Sequence, residues 1–284
     1  MEISEFTNCE YPQYSVLMSV YIKEKPEFLK LALDSMFNQT VPPAEIVLVE
    51  DGPLTTELYA LLDEYSAKHG EKFKRIANET NLGLGKALNK GLAECANELV
   101  ARMDTDDISD LIRCEKQLQY FAENSELDVI GTDIAEFTDS PDKIVSVRKV
   151  PESHEEICEF LKKRCPLNHM SVMFKKSSVE KAGGYLDWHY NEDYYLWIRM
   201  YLAGCKFANI EGNYVYVRVG EEMFARRGGK AYYKSEKELF KFMRKNKIIS
   251  WGEYQKAKTV RFIVQRLMTN RMRQWFFKKY ARKQ

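Results

Sequence analysis

Apolar residues in this chain gather into short runs, and each run gives way to a stretch where they recur at three- and four-residue spacing. Ser15-Val16-Leu17-Met18-Ser19-Val20-Tyr21 reads as a buried strand, and Pro26 then opens a helix with Phe28, Leu29, Ala32, Met36 and Phe37 on one face. Glu45 to Val49 forms a second strand that ends at Glu50-Asp51-Gly52. Thr55 or Thr56 caps a helix carrying Leu58, Leu61, Leu62 and Tyr65. Phe73 to Ala77 is a short third strand, Gly85 to Ala96 a helix, and Leu99 to Met103 a fourth strand. From Ile108 onward the spacing is helical, with Asp107 or Ser109 suited to the N-cap. Strands alternating with helices predict an α/β fold: a mostly parallel sheet flanked by helices on both faces. Beyond residue 110 the alternation loosens into a mixed region, Asp128 to Val150, and then further helices.

Ligands of such sheets bind at the carboxyl ends of the strands. Polar signals recur there: Tyr21 with Lys23, Glu50-Asp51-Gly52, and Asp104-Thr105-Asp106-Asp107. Three carboxylates in four residues repel one another unless something positive lies between them. A divalent cation that prefers hard oxygen ligands, Mg²⁺ or Mn²⁺, answers that need, and helix capping is the competing reading. Asp51 suits either a turn before glycine or hydrogen bonds from a base or ribose. Ile22 to Pro26 contains no glycine, so the first strand lacks a Rossmann fingerprint. Gly83-Leu84-Gly85-Lys86-Ala87-Leu88 is not a P-loop; it is a turn and an amide-lined helix start that would aim Lys86 at phosphate.

Composition narrows the class. The 284 residues are 45% hydrophobic and 13% aromatic, which excludes a disordered chain. No apolar run is long enough to span a bilayer, and Met1-Glu2-Ile3-Ser4-Glu5 lacks the basic and apolar regions of a signal peptide. Six scattered cysteines without a Cys-x-x-Cys pair read as reduced cytoplasmic thiols.

Taken in order, Ser15 to Tyr21, Glu45 to Gly52, Asn81-Leu82-Gly83-Leu84-Gly85 with Ala87-Leu88-Asn89, Asp104-Thr105-Asp106 and Glu192-Asp193 resemble a family 2 glycosyltransferase of GT-A fold, over about residues 14 to 220. Arg102-Met103-Asp104, Asn168-His169-Met170, Glu192-Asp193-Tyr194 and Arg226-Arg227-Gly228-Gly229 are further similar to bacterial O-antigen and capsule enzymes. Several of these make β1,3 linkages from UDP-sugars onto lipid-linked acceptors. The resemblance implies that Asp51 holds the base, that Asp104 lies by the ribose or metal, and that Asp106 ligates Mn²⁺ or Mg²⁺. It also implies that Asp193 is the catalytic base, with Glu192 beside it. Tyr21, Glu50 and Lys86 complete the expected donor site. His169 and Trp188 are candidates for the acceptor or diphosphate region. Arg226 and Arg227, in a glycine-hinged loop, suit a lid that grips diphosphate.

The expected organisation is a catalytic domain over 1–220, with a nucleotide-binding half at about 14–110 and an acceptor half at about 111–220. Residues 221–284 would form the lid loop and a basic amphipathic extension. The expected reaction moves a hexose or N-acetylhexosamine from a UDP-sugar to a lipid-linked oligosaccharide. A sugar-nucleotide nucleotidyltransferase and a non-catalytic nucleotide-binding module are the alternatives.

The charge is divided along the chain. Residues 254 to 284 hold ten Lys or Arg and no acid, which leaves 33 basic and 42 acidic side chains elsewhere, about −9. Val260, Ile263, Val264, Leu267, Met268, Met272, Trp275 and Phe276 follow helical spacing, with Arg261, Arg266, Arg271, Arg273, Lys278, Lys279, Arg282 and Lys283 around them. This pattern predicts a helix lying on an anionic membrane, or else one packed on the catalytic domain. The acidic body disfavours nucleic acid as a partner. A peripheral position on the inner face of the cell membrane follows as the expectation.

Overall fold

The computed structural model describes residues 11–220, 228–273 and 275. Strands β1 (Tyr14–Val20) and β2 (Glu45–Glu50) are buried on both sides, because alternate residues enter different cores. Val16, Met18 and Val20 join Ile46 and Leu48 on one face, whereas Leu17 and Val47 point to the other. The first core is covered by α1 (Pro26–Phe37), α2 (Thr56–His69) and α4 (Arg113–Glu123). The second lies under α3 (Leu84–Glu94), α5 (His154–Leu161), α6 (Lys176–Lys181), α7 (Glu192–Leu202) and α8 (Gly229–Lys245). Gly91 lets α3 lie flat on the sheet: a Cβ there would stand 2.6 Å from Leu17 Cδ1 and 2.7 Å from Val49 Cγ2.

Among the described residues nine strands form one sheet. The others are β3 (Phe73–Ala77), β4 (Leu99–Arg102), β5 (Ile108–Ser109), β6 (Val129–Phe137), β7 (Ile144–Arg148), β8 (Met173–Lys175) and β9 (Phe207–Arg218). Their order is β3-β2-β1-β4-β8-β6-β9-β5, with β7 on β6. The first four strands by sequence are parallel, so the carboxyl ends of β1, β2 and β4 open on one edge. β8 then enters antiparallel beside β4, and β6 runs parallel to β9. The sheet ends at Arg218, and residues 229–245 and 251–262 form α8 and α9 (Trp251–Phe262).

Three expectations change. Ile108 does not begin a helix: Ile108 and Ser109 pair with Tyr216 and Val215, Asp107 accepts the Arg218 amide at 2.9 Å, and the helix starts at Arg113. The apolar run Met170 to Phe174, whose composition predicts a strand, is not one strand throughout, since His169–Ser171 is a 3-10 turn and the strand begins at Met173. The tail helix is interrupted as well. After α9 the backbone winds into a π turn at Ile263–Leu267, Met268 is extended, and helix resumes at Asn270. Arg273 is buried there, donating to the carbonyls of Val264, Gln265 and Met268 rather than facing outward.

Candidate active site

The loop after β1 meets the end of β4. Glu24, four residues beyond β1, accepts from the Thr105 hydroxyl at 2.5 Å, and burial pushes its carboxyl up. Thr105 stands between Asp104 and Asp106, so this bond ties the first βα loop to the acidic turn. Oxygens of Asp104, Asp106 and Asp107 all lie within 4.8 Å of one another. Burial, then the charges of Asp104 and Glu24, push Asp106 up to about 7. Burial and the neighbouring carboxylates push Asp107 well up too. Three acids bring oxygens together at this turn, a donor set of hard oxygens that fits a divalent cation, with Glu24 adding its charge nearby.

The cation that the protein itself supplies there is Arg102. Its guanidinium is 1% exposed and stands 2.5 Å from Asp104 Oδ1. Nε and Nη1 nevertheless lack a partner with hydrogen-bond geometry. A charge within a buried strand was the available signal for this residue; periodicity alone passes over it. A second buried arginine, Arg113, braces the same strand by donating to the carbonyls of Arg102 (2.8 Å) and Val172 (3.1 Å). Arg218 closes the far side, its guanidinium 3.8 Å from the Phe28 ring centroid and 4.6 Å from that of Phe137.

The β2 end is organised differently. Asp51 accepts from Asn78 Nδ2 (3.0 Å) and from the amides of Leu82 (2.8 Å) and Gly83 (2.9 Å), so it shapes the loop that leads into α3. Glu50 is buried and faces Arg75 at 2.6 Å, which also contacts Asp63. Tyr21 is exposed at the end of β1. Lys86, on the first turn of α3, is exposed and 3.7 Å from Asp187.

The nucleotide half and α7 meet at the start of α3. A Cβ on Gly85 would stand 3.2 Å from Glu192 Cγ and 3.5 Å from the Leu186 carbonyl, so the absence of a side chain lets α7 approach the start of α3. Burial raises the pKa of both Glu192 and Asp193. Asp193 Oδ1 accepts the Tyr194 amide at 2.7 Å and Oδ2 lies 3.7 Å from the Cys165 thiol. Its rise is restrained by that amide, by Arg148 and by Arg102. A half-buried carboxylate held at both oxygens yet pushed upward is equipped to accept a proton.

His169 and Trp188 are engaged internally. His169 is buried, bonded through Nε2 to the Tyr185 hydroxyl at 2.9 Å, and burial holds its imidazole neutral. Trp188 stacks on Tyr195 at 4.3 Å and donates Nε1 to the Ser235 carbonyl, so its ring faces a neighbouring helix. Arg226 and Arg227, and the tail beyond 275, lie outside the described residues.

The sequence model of Glycosyl transferase family 2 matches residues 15–180. The chain is 37% identical, over 96% of its length and 98% of the relative's, to an Escherichia coli protein named UDP-Gal:alpha-D-GlcNAc-diphosphoundecaprenol beta-1,3-galactosyltransferase. It is 40% identical over 80% of its length, and 84% of the relative's, to the amylovoran biosynthesis glycosyltransferase AmsE of Erwinia amylovora. By fold it is similar to S. aureus TarS 1–349 in complex with UDP-GlcNAc, with a TM-score of 0.66 at 18% identity, over 93% of this chain and 78% of that one.

Proposed function

The chain belongs to glycosyl transferase family 2, and from that premise we propose an inverting transferase that moves a hexosyl group from a UDP-sugar to a lipid-linked saccharide in surface polysaccharide synthesis. The observation that carries the reading is the contact of Glu192 with Gly85, which brings the helix bearing Asp193 against the nucleotide half. In the proposed step an acceptor hydroxyl oxygen bonds to the anomeric carbon, and the bond from that carbon to the diphosphate breaks. The hydroxyl proton passes to Asp193, and UDP leaves. Glu192 flanks the base. Asp104 and Asp106 would hold Mn²⁺ or Mg²⁺, which when bound offsets charge on the leaving diphosphate. Lys86 and Tyr21 line the donor side. Asp51, by fixing the Asn78–Gly83 loop, sets the wall that the base would meet. His169, held neutral, supports the site from behind. Nothing in this scheme uses a second protein carboxylate as nucleophile, in contrast to retaining hydrolases.

The test is a panel of UDP-hexoses and UDP-N-acetylhexosamines, each offered with a short-chain α-GlcNAc-diphospholipid, with UDP release and product mass as the readouts. Transfer of one sugar with inversion supports the proposal. Conversion of the UDP-sugar to UTP and sugar 1-phosphate when pyrophosphate is added, with no glycosidic product from the acceptor, would instead indicate a nucleotidyltransferase.

A further inference from the structure

The first turn of α7 contains an exchange of roles. Asn191 occupies the position before the helix, where an asparagine side chain ordinarily accepts an amide of the first turn. Here it makes no such bond. Its Nδ2 donates instead to Ser235 Oγ on α8, at 2.9 Å. The Tyr194 amide, third in the helix and the usual target of the cap, goes to Asp193 Oδ1. Ser235 also holds the preceding turn. Its hydroxyl donates to the His189 carbonyl at 2.6 Å, and its own carbonyl accepts from Trp188 Nε1 at 3.2 Å. Between these anchors Tyr190 has φ +73°, a left-handed conformation that side chains rarely adopt, so the turn depends on being held from outside.

We propose that Ser235 is a positioning residue for the general base: by engaging Asn191 it leaves the Tyr194 amide to Asp193 and so fixes the carboxylate. This inference rests on Asp193 being the base. It makes α8 part of the acceptor side of the site. Without the Ser235 hydroxyl, Asn191 is released to cap α7 in the ordinary way and competes with Asp193 for the same amide. The carboxylate then loses its orientation while the donor side is untouched.

The experiment uses the full-length protein, the UDP-sugar active in the panel and the short-chain α-GlcNAc-diphospholipid. Ser235→Ala should lower kcat by about tenfold or more, since small misplacements of a reacting group cost that much, and leave KM for the UDP-sugar within about twofold. Ser235→Thr, which keeps the hydroxyl, should retain most of the turnover. Adding Asn191→Ala to Ser235→Ala removes the competitor and should restore most of the loss, an outcome that a merely structural role of Ser235 does not produce. Asn191→Asp reaches the same state from the other partner, because a carboxylate cannot donate to Ser235 but caps well, so it too should lower kcat. Wild-type turnover in Ser235→Ala or in Asn191→Asp overturns the proposal, as does a deeper loss in the double variant or a KM that rises in step. Full activity in Asp193→Asn would overturn the base assignment itself. A dead Asp193→Asn beside an unaffected Ser235→Ala overturns only the role of Ser235.

Discussion

At the scale of single residues, Asp193 and Asp106 are two half-buried carboxylates raised for different reasons. Burial alone leads at Asp193, with the Tyr194 amide, Arg148, Cys165 and Arg102 all pulling the other way. A base must be ionised to accept a proton, so kcat should rise with pH through the raised pKa. Its acid limb should lie above the ordinary aspartate value of 3.8. Arg148→Met removes a charge that favours the ionised form, so the limb should move further up; an unmoved or lowered limb contradicts Asp193 as the titrating group. Asp193→Asn keeps shape but not basicity, and transfer should fall by about 10² or more. At Asp106 the like charges of Asp104 and Glu24 add to burial. Asp106→Asn should therefore raise the melting temperature of chelator-treated protein, by roughly 2–4 °C for each kcal/mol of repulsion removed. The same change should abolish transfer and the thermal stabilisation by added Mn²⁺. Equal melting of the two proteins in EDTA would mean that the acids are already compensated without a cation.

At the scale of elements, the site depends on α3 and α7 abutting at Gly85. Gly85→Val places branched carbons where Glu192 now packs, so α7 must withdraw. We expect kcat to drop by about tenfold or more with UDP affinity changed little, measured by transfer rates beside UDP titration. Equal losses in both would mean that the substitution damages the donor loop instead. The elements that build this edge were legible because the helices bury one face periodically and β1, β2 and β4 are continuous apolar runs buried along their length, with the acids following at their ends. β5 was not legible. Two residues carry no period, and Ile108–Ser109 is a strand only because Tyr216 and Val215, more than a hundred positions away, pair with it. Ser235 escaped for a similar reason, and Arg102, quoted only within a motif, was given no role. Their importance lies in what they face, the start of α7 and the acidic turn, and neither neighbour is implied by local spacing. Asp51 was legible as a turn former or as a ligand; its three hydrogen bonds instead hold the distant Asn78–Gly83 loop, a partnership that local spacing does not imply.

At the scale of the molecule, the division of charge becomes a question of orientation. The body carries about −9, and the segment from 254 onward ten cations. α9 is anchored by Arg261, 3.2 Å from Glu236 and stacked on Phe240, and by Phe262 against Tyr233. That anchoring takes one side of the helix. Ile263, Leu267, Met272 and Trp275 remain 42–64% exposed, and none of the described helices is long and apolar enough to cross a membrane. Four exposed apolar side chains on either side of the extended Met268, accompanied by Arg266 and Arg271, suit the headgroup boundary of an anionic surface, where each cation contributes on the order of 1 kcal/mol. The lipid-linked acceptor that we propose would be presented at such a surface. Intact protein should co-sediment with phosphatidylglycerol vesicles, less at high salt, and poorly with neutral vesicles. Leu267→Glu with Trp275→Glu adds charge at two exposed positions without opening the core. It should abolish co-sedimentation and slow transfer to acceptor embedded in vesicles, while transfer to the soluble short-chain acceptor continues. If these side chains instead cover another part of this protein, the paired substitution should lower the melting temperature and slow both reactions alike, and vesicle binding should show no preference for anionic lipid.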